Sequence, residues 1–148
     1  MRQALREAAL LVLLSCLLGF SYTAATKRGL FAEKTNAPIT TPQLVELTDA
    51  KRLFDGGEAL FLDSRHEFDY KLGHIKGAVN IPVDKFEEQQ SKLASVEKDD
   101  LVVVYCDGAE CNSSFEMAGK LYTAGYTNIR VFFGGWQNWQ EKNFPIEN

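Results

Sequence analysis

Positive charge is scarce in this sequence. Sixteen lysines and arginines stand against twenty aspartates and glutamates, a formal net charge of −4, which argues against a nucleic-acid backbone as partner. Cysteine is scarcer still, with three residues in 148, yet a chain of this length buries a core without disulfide staples. Internal repeats and low-complexity tracts are absent. Apolar residues at 45% and charged residues at 24% match the globular average and exclude a disordered or fibrous chain. A mass of 16.6 kDa leaves room for one domain and a short appendage, not for two enzymatic domains or a multi-span transporter.

The charge is unevenly placed. Residues 1–30 carry Arg2, Arg6, Lys27 and Arg28 against Glu7, leaving twelve bases and nineteen acids, −7, for the rest. From Ala8 to Thr26 no side chain is charged, and as a helix that stretch reaches about 28 Å, enough to cross a bilayer core. Its charge-free length suits an uncleaved anchor, while Thr23-Ala24-Ala25 leaves a cleaved signal open. Leu13-Leu14-Ser15-Cys16 is a faint lipoprotein box, disfavoured because the apolar run continues past Cys16. A helix apolar all round also has no core here large enough to cover it. The expectation is a membrane anchor or signal segment at residues 1–30, a linker at 31–37 and a folded domain at 38–148. Bases flank the segment on both sides, so the positive-inside bias nearly cancels. A very short N-terminal tail as a rule stays in the cytoplasm, which places the domain in a periplasmic or extracytoplasmic space.

Within the domain, Thr40 and Pro42 are expected to open a helix, with Gln43 three residues after the cap. Leu44, Leu47 and Phe54 give its apolar face, and Asp55-Gly56-Gly57 stops it. Apolar runs at Ala59–Leu62, Ala78–Ile81, Leu101–Tyr105 and Asn128–Phe132 read as strands, the third continuously apolar and so central in a parallel sheet. Helices are expected at 67–72, 84–93, 113–123 and 136–142. This alternation means an α/β sheet with crossover connections.

In open α/β sheets chemistry gathers at the carboxyl ends of the strands. There the strongest strand ends in Tyr105-Cys106-Asp107-Gly108-Ala109-Glu110-Cys111, ahead of a helix. Loop N–H groups and the positive end of that helix favour a thiolate on Cys106. The plainer reading is a small buried hydrophobe, a common fate of free cysteine.

Further stretches carry a resemblance. Leu62-Asp63-Ser64-Arg65 with Glu67 and Tyr70, the run Gly73-His74-Ile75-Lys76-Gly77-Ala78-Val79-Asn80-Ile81-Pro82, Val103-Val104-Tyr105-Cys106, Gly125-Tyr126 and Gly134-Gly135-Trp136-Gln137-Asn138-Trp139 occur in order. Together they resemble the rhodanese-like family of single-domain sulfurtransferases over residues 38–146. The resemblance implies a mostly parallel five-stranded sheet flanked by helices on both faces, here preceded by a separate N-terminal apolar helix. It implies that Cys106 takes sulfane sulfur from a small-molecule or protein-borne donor, holds it as a persulfide and passes it to a thiol acceptor. Neither a cofactor nor a metal is required. Cys106, Asp107, Gly108, Ala109, Glu110, Cys111 and Asn112 then form the active-site loop and its exit. Asp63, Arg65 and His74 support that loop, and Gly77, Gly134 and Gly135 supply backbone geometry. Trp136 and Trp139 are candidates for the pocket mouth, with core packing expected for Trp139. His66 has no family counterpart and is expected in solvent. Asn112-Ser113-Ser114 fits a glycosylation acceptor, but at a helix start beside the active loop a chance match or a helix cap is expected.

The loop departs from the family at its sixth position, where active members commonly carry arginine and this chain has Cys111. Without that base a dianionic donor such as thiosulfate loses a bidentate partner, and Asp107 and Glu110 repel it and push the Cys106 pKa upward, against the helix dipole. A thiol-borne donor is expected instead. Cys111 is also a candidate resolving thiol, able to attack a Cys106 persulfide and leave a disulfide. Two other classes stay open: a thiol–disulfide or redox-sensing protein using both cysteines, and an inactive binding module.

Overall fold

The continuously apolar run Val102–Tyr105 forms the central strand of the sheet and is fully buried. The computed structural model describes Arg6, Ser15 and residues 41–148, in a chain that divides into two units, Met1–Ile39 and Thr40–Asn148. The Thr40 cap, the linker and, apart from Arg6 and Ser15, the anchor or signal segment lie outside the described residues. Among the described residues no helix is long and apolar enough to cross a membrane.

In chain order the second unit runs β1 (Gln43–Val45), α1 (Leu47–Gly56), β2 (Leu60–Asp63), α2 (Glu67–Leu72), β3 (His74–Ile75) and β4 (Val79–Asn80). A 3-10 turn at Val83–Lys85, the short α3 (Phe86–Gln89) and a second 3-10 turn at Gln90–Leu93 follow. The chain continues with β5 (Val102–Tyr105), α4 (Ser113–Thr123), β6 (Ile129–Phe132), α5 (Gly135–Glu141) and β7 (Ile146–Glu147). Five strands make one parallel sheet in the order β1-β6-β5-β2-β4, and β3 pairs antiparallel with β7.

Side chains alternate across a strand, so β5 feeds two cores. Val102 and Val104 pack with Leu62, Met117, Leu121 and Val131 on one face. Val103 and Tyr105 pack with Val45, Leu53, Phe61, Phe132 and Trp139 on the other. Both faces are covered, as a parallel sheet requires. Each buried aliphatic side chain contributes roughly 1.5–3 kcal/mol. Trp139 anchors the second core, its ring edge-on to Phe54, Phe132 and Phe144 with centroids 5.1–6.2 Å apart.

The structure corrects the start of the domain. Gln43–Val45, expected in a helix, is a strand beside β6, pairing Val45 with Phe132. Val45 is β-branched and gains a buried place over that sheet edge, which outweighs the helical spacing of Leu44 and Leu47. Pro42 precedes this edge strand, where a missing N–H is tolerated. The helix begins at Leu47 and is capped after Gly56 by Gly57, which adopts φ 62° and donates its N–H to Leu53 and Phe54 carbonyls. The helix expected over 84–93 is three short pieces. By contrast α4 spans Ser113–Thr123 as the sequence indicates.

Candidate functional site

β5 delivers Cys106 to the carboxyl edge of the sheet, and α4 starts seven residues later. Two other elements hold the intervening loop. From β2, Ser64 Oγ donates to the Tyr105 carbonyl at 2.9 Å and lies 3.1 Å from Ser113 Oγ. At the start of α5 the N–H groups of Trp136 and Gln137 donate to the carbonyls of Cys106 and Asp107 at 2.8 and 2.9 Å. Gly135 makes this approach possible: its φ is +56°, and a Cβ there would lie 2.4 Å from the Cys106 carbonyl oxygen. Only glycine takes both the conformation and the space without strain.

Cys106 is 2% exposed. Its thiol donates to the Cys111 carbonyl at 3.2 Å and faces the Gly108 carbonyl at 3.8 Å, with Ser114 Oγ at 3.4 Å. Burial pushes this thiol up, and its hydrogen bond toward Cys111 adds to the effect; the Ser114 hydroxyl and N–H oppose it. Cys111 behaves the other way. Burial works against its ionisation, but hydrogen bonds from Cys106, from the Ser113 hydroxyl and N–H and from the Asp107 N–H outweigh it and bring the thiol below the ordinary value. Its sulfur lies 3.1 Å from Ser113 Oγ. At Cys106 burial therefore outweighs the pull toward a thiolate expected from the loop N–H groups and the helix end. Carbonyls turn toward that sulfur, and the loop's N–H groups are shared between two sulfurs. Both cysteines are free thiols.

Asp63 and Arg65 form a buried pair beneath the loop. Arg65 Nε donates to both Asp63 oxygens at 3.0 and 3.1 Å, Nη2 donates to Asp63 at 2.6 Å, and Nη2 also reaches the Gly73 carbonyl at 2.8 Å. Nη1 lies 3.6 Å from Asp107 Oδ1, and the guanidinium stands 4.9 Å from the Trp136 ring centroid. Burial opposes the charge on Arg65, but the bonds and charge of Asp63 more than offset it, and its pKa is raised. A base absent from the linear loop thus reaches it from 42 residues upstream. Tyr105 closes the unit: its hydroxyl accepts the Ile75 N–H at 3.2 Å, and burial beside the Asp63 carboxylate pushes its pKa far up.

His74 sits apart from the sulfurs. Its Nδ1 lies 2.9 Å from the Tyr70 carbonyl, its ring stacks on Tyr70, and Nε2 is 3.8 Å from Glu147. His66 starts α2, its Nδ1 accepting the Phe68 N–H. Asn112 precedes α4 without a side-chain cap bond, so of the two readings the sequence offered the cap is not seen. A cleft of about 470 Å³ opens beside the loop, lined by Asp107, Gly108, Ala109, Glu110, Cys111 and Gln137. Neither tryptophan lines it: Trp139 is core, and Trp136 packs against Arg65 and Gly73. Sequence reasoning missed Ser64, Ser113, Ser114 and Gln137. Only the serine pair, immediately after the loop, offered a signal. Among the described residues no three His, Cys, Asp or Glu side chains converge to hold a metal ion.

Comparison with known proteins agrees with this architecture. Residues 46–142 match the rhodanese-like domain family. A tRNA uridine(34) hydroxylase from Photorhabdus laumondii is 30% identical over 107 residues, covering 70% of this chain and 30% of its own length. The chain therefore spans under a third of that curated relative. The human single-domain sulfurtransferase TSTD1 superposes with a TM-score of 0.56 at 28% identity, covering 68% of this chain and 96% of that one. The BH2092 protein of Bacillus halodurans shares the fold, with a TM-score of 0.65 at 21% identity over 88% of this chain and 85% of that one.

Proposed function

The chain belongs to the rhodanese-like domain family, and from that premise we propose that it moves sulfane sulfur through a persulfide on Cys106. The observation that carries the reading is the placement of Cys106 at the tip of the central strand, in a loop whose carbonyls α5 restrains and whose far end turns the Ser114 hydroxyl and N–H onto the sulfur. A donor persulfide, R–S–SH, meets Cys106 as its thiolate: a Cys106 S–S bond forms, the R–S–S bond breaks, and the departing R–S⁻ takes up the proton that Cys106 gave and leaves as R–SH, with Cys106–S–SH in place. An acceptor thiolate then takes the outer sulfur and returns Cys106 to the thiol. Cysteine suits this work because its sulfur is a strong nucleophile once ionised. N–H and hydroxyl donors already aimed at the site stabilise an anionic sulfur without reorganising.

A thiol-borne donor is favoured over thiosulfate. Cys111 stands at the sixth loop position, Asp107 and Glu110 line the cleft, and the nearby guanidinium of Arg65 is committed to Asp63 and Asp107. A free bidentate partner for a dianion is missing from the cleft lining. The excess of acid makes nucleic acid an unsuitable partner for this chain, whatever its longer relatives act on. Ala8–Thr26 acts as a membrane anchor or signal, with the domain periplasmic or extracytoplasmic; fractionation and protease protection of intact cells test that placement.

A redox reading is favoured by one observation, the contact of the Cys106 thiol with the Cys111 carbonyl at 3.2 Å, which brings two free cysteines together in one loop. Mass spectrometry of the full-length chain after treatment with glutathione persulfide separates the possibilities. A gain of one sulfur atom on the Cys106 peptide, about 32 Da and removed by cyanide, is the expected result. A stable loss of about 2 Da with no sulfur gain means disulfide chemistry instead. No change at either cysteine means a binding module.

A further inference from the structure

Cys106 carries the sulfur in the reading above, yet it is the less accessible of the two loop thiols. It is 2% exposed and does not line the cleft beside the loop, whereas Cys111 does, among Asp107, Gly108, Glu110 and Gln137. A donor entering that cleft meets Cys111 first. The polar surroundings divide in the same sense. Ser113 Oγ lies 3.1 Å from the Cys111 sulfur, and the N–H groups of Ser113 and Asp107 also face it. The Cys106 proton, in contrast, is directed at the Cys111 carbonyl 3.2 Å away. The outer thiol meets donors, whereas the inner thiol faces two carbonyls besides the Ser114 hydroxyl and N–H.

We infer that Cys111 is the receiving thiol, taking sulfane sulfur from a low-molecular-weight persulfide in the cleft and handing it inward to Cys106. This rests on the sulfur-transfer reading and adds a step to it. In the first exchange Cys111–S⁻ attacks the outer sulfur of R–S–SH; the new bond forms, the R–S–S bond breaks, and R–S⁻ leaves with Cys111–S–SH in place. The departing R–S⁻ takes the proton of the Cys106 thiol and leaves as R–SH. In the second exchange Cys106–S⁻ attacks the outer sulfur on Cys111, forming Cys106–S–SH and restoring Cys111–S⁻. The sum is R–S–SH plus Cys106–SH giving R–SH plus Cys106–S–SH, with no external oxidant or reductant. The Cys106 sulfur lies 3.2 Å from the Cys111 carbonyl oxygen, so the handover is between residues already in contact. A lower thiol pKa gives Cys111 the larger thiolate fraction near neutrality, the form that attacks.

Rapid-quench mass spectrometry of the full-length chain tests the order, using glutathione persulfide and peptide mapping that also resolves Cys16. In wild type the sulfur accumulates on Cys106. In Cys106→Ser it is trapped on Cys111 at the wild-type loading rate, a result that a structural role for Cys111 does not give. In Cys111→Ser the loading of Cys106 falls on the order of tenfold or more, since the donor must reach a buried and more basic thiol. Loading of Cys106 at the wild-type rate in Cys111→Ser overturns the relay while leaving sulfur transfer intact. So does an empty Cys111 in a folded Cys106→Ser protein. Wild type that gains no sulfur at either residue overturns the relay and the parent reading together.

Discussion

Gly135→Ala is the sharpest probe of how this site is held. A Cβ at Gly135 would stand 2.4 Å from the Cys106 carbonyl oxygen and 2.9 Å from Asp107 C and Gly108 N, all backbone atoms that no side-chain rotation can move. Ordinary contact begins near 3.4 Å, so the loop and α5 must part by about 1 Å, a displacement that costs on the order of 100-fold when it misplaces reacting groups. That separation also breaks the bonds from the Trp136 and Gln137 N–H groups to Cys106 and Asp107. The left-handed backbone adds about 1–2 kcal/mol of strain, and forced overpacking adds about 1–3 kcal/mol. The expected outcome is a loss of about 2–5 kcal/mol in urea unfolding together with sulfur loading at least tenfold slower. Gly57→Ala is the matched control: its φ is +62° but nothing lies within 4 Å of its Cβ. It should lose about 1–2 kcal/mol and load sulfur normally. If Gly135→Ala is no less stable than Gly57→Ala and loads at the wild-type rate, the clamp has no role.

Other consequences follow from the same geometry. Arg65→Leu strips the buried Asp63 carboxylate of its main partner and should cost about 3–5 kcal/mol by urea unfolding, whereas a loss under 1 kcal/mol would mean that water replaces the pair. Trp139→Ala opens a cavity among Phe54, Phe61, Phe132 and Phe144; a loss of about 3–5 kcal/mol is expected in the same assay. The thiols should separate by pH in iodoacetamide labelling followed by peptide mapping. Rate follows the thiolate fraction, so Cys111, with its pKa lowered, should reach its plateau at lower pH than an unperturbed cysteine. Cys106, with its pKa raised, should still be accelerating above that point. Coincident or reversed profiles would refute the division of donors and acceptors.

Local signals explain what was legible. The run Val102–Tyr105 needs no context to be a buried strand, and Ser113–Thr123 lies between a polar loop and Gly125, so both are read directly from the sequence. Gln43–Val45 does not read as a strand from its own residues, because only three residues separate Pro42 from Glu46 and their pairing partner is β6, far along the chain. The β3–β7 ribbon escaped notice for the same reason: two-residue strands carry no period, and their register is set 71 residues apart between Ile75 and Ile146. At the site, residue types pointed to Cys106 and its loop. The direction of the carbonyls around it, the Arg65 contact with Asp107 and the open face of Cys111 are products of backbone path, which no spacing encodes.

The family match covers 46–142, but β1 and β7 lie just outside those limits and both are paired. A fragment cut at the limits of the match would leave β6 with unsatisfied N–H and C=O groups along its outer side. Such an open border is a template for docking by another molecule. It would also lose the Pro145 carbonyl that accepts the Trp139 indole N–H at 3.0 Å, and the Phe144 ring beside it. An excised fragment of that length should self-associate, whereas one spanning 40–148 retains both borders and the lid over the indole.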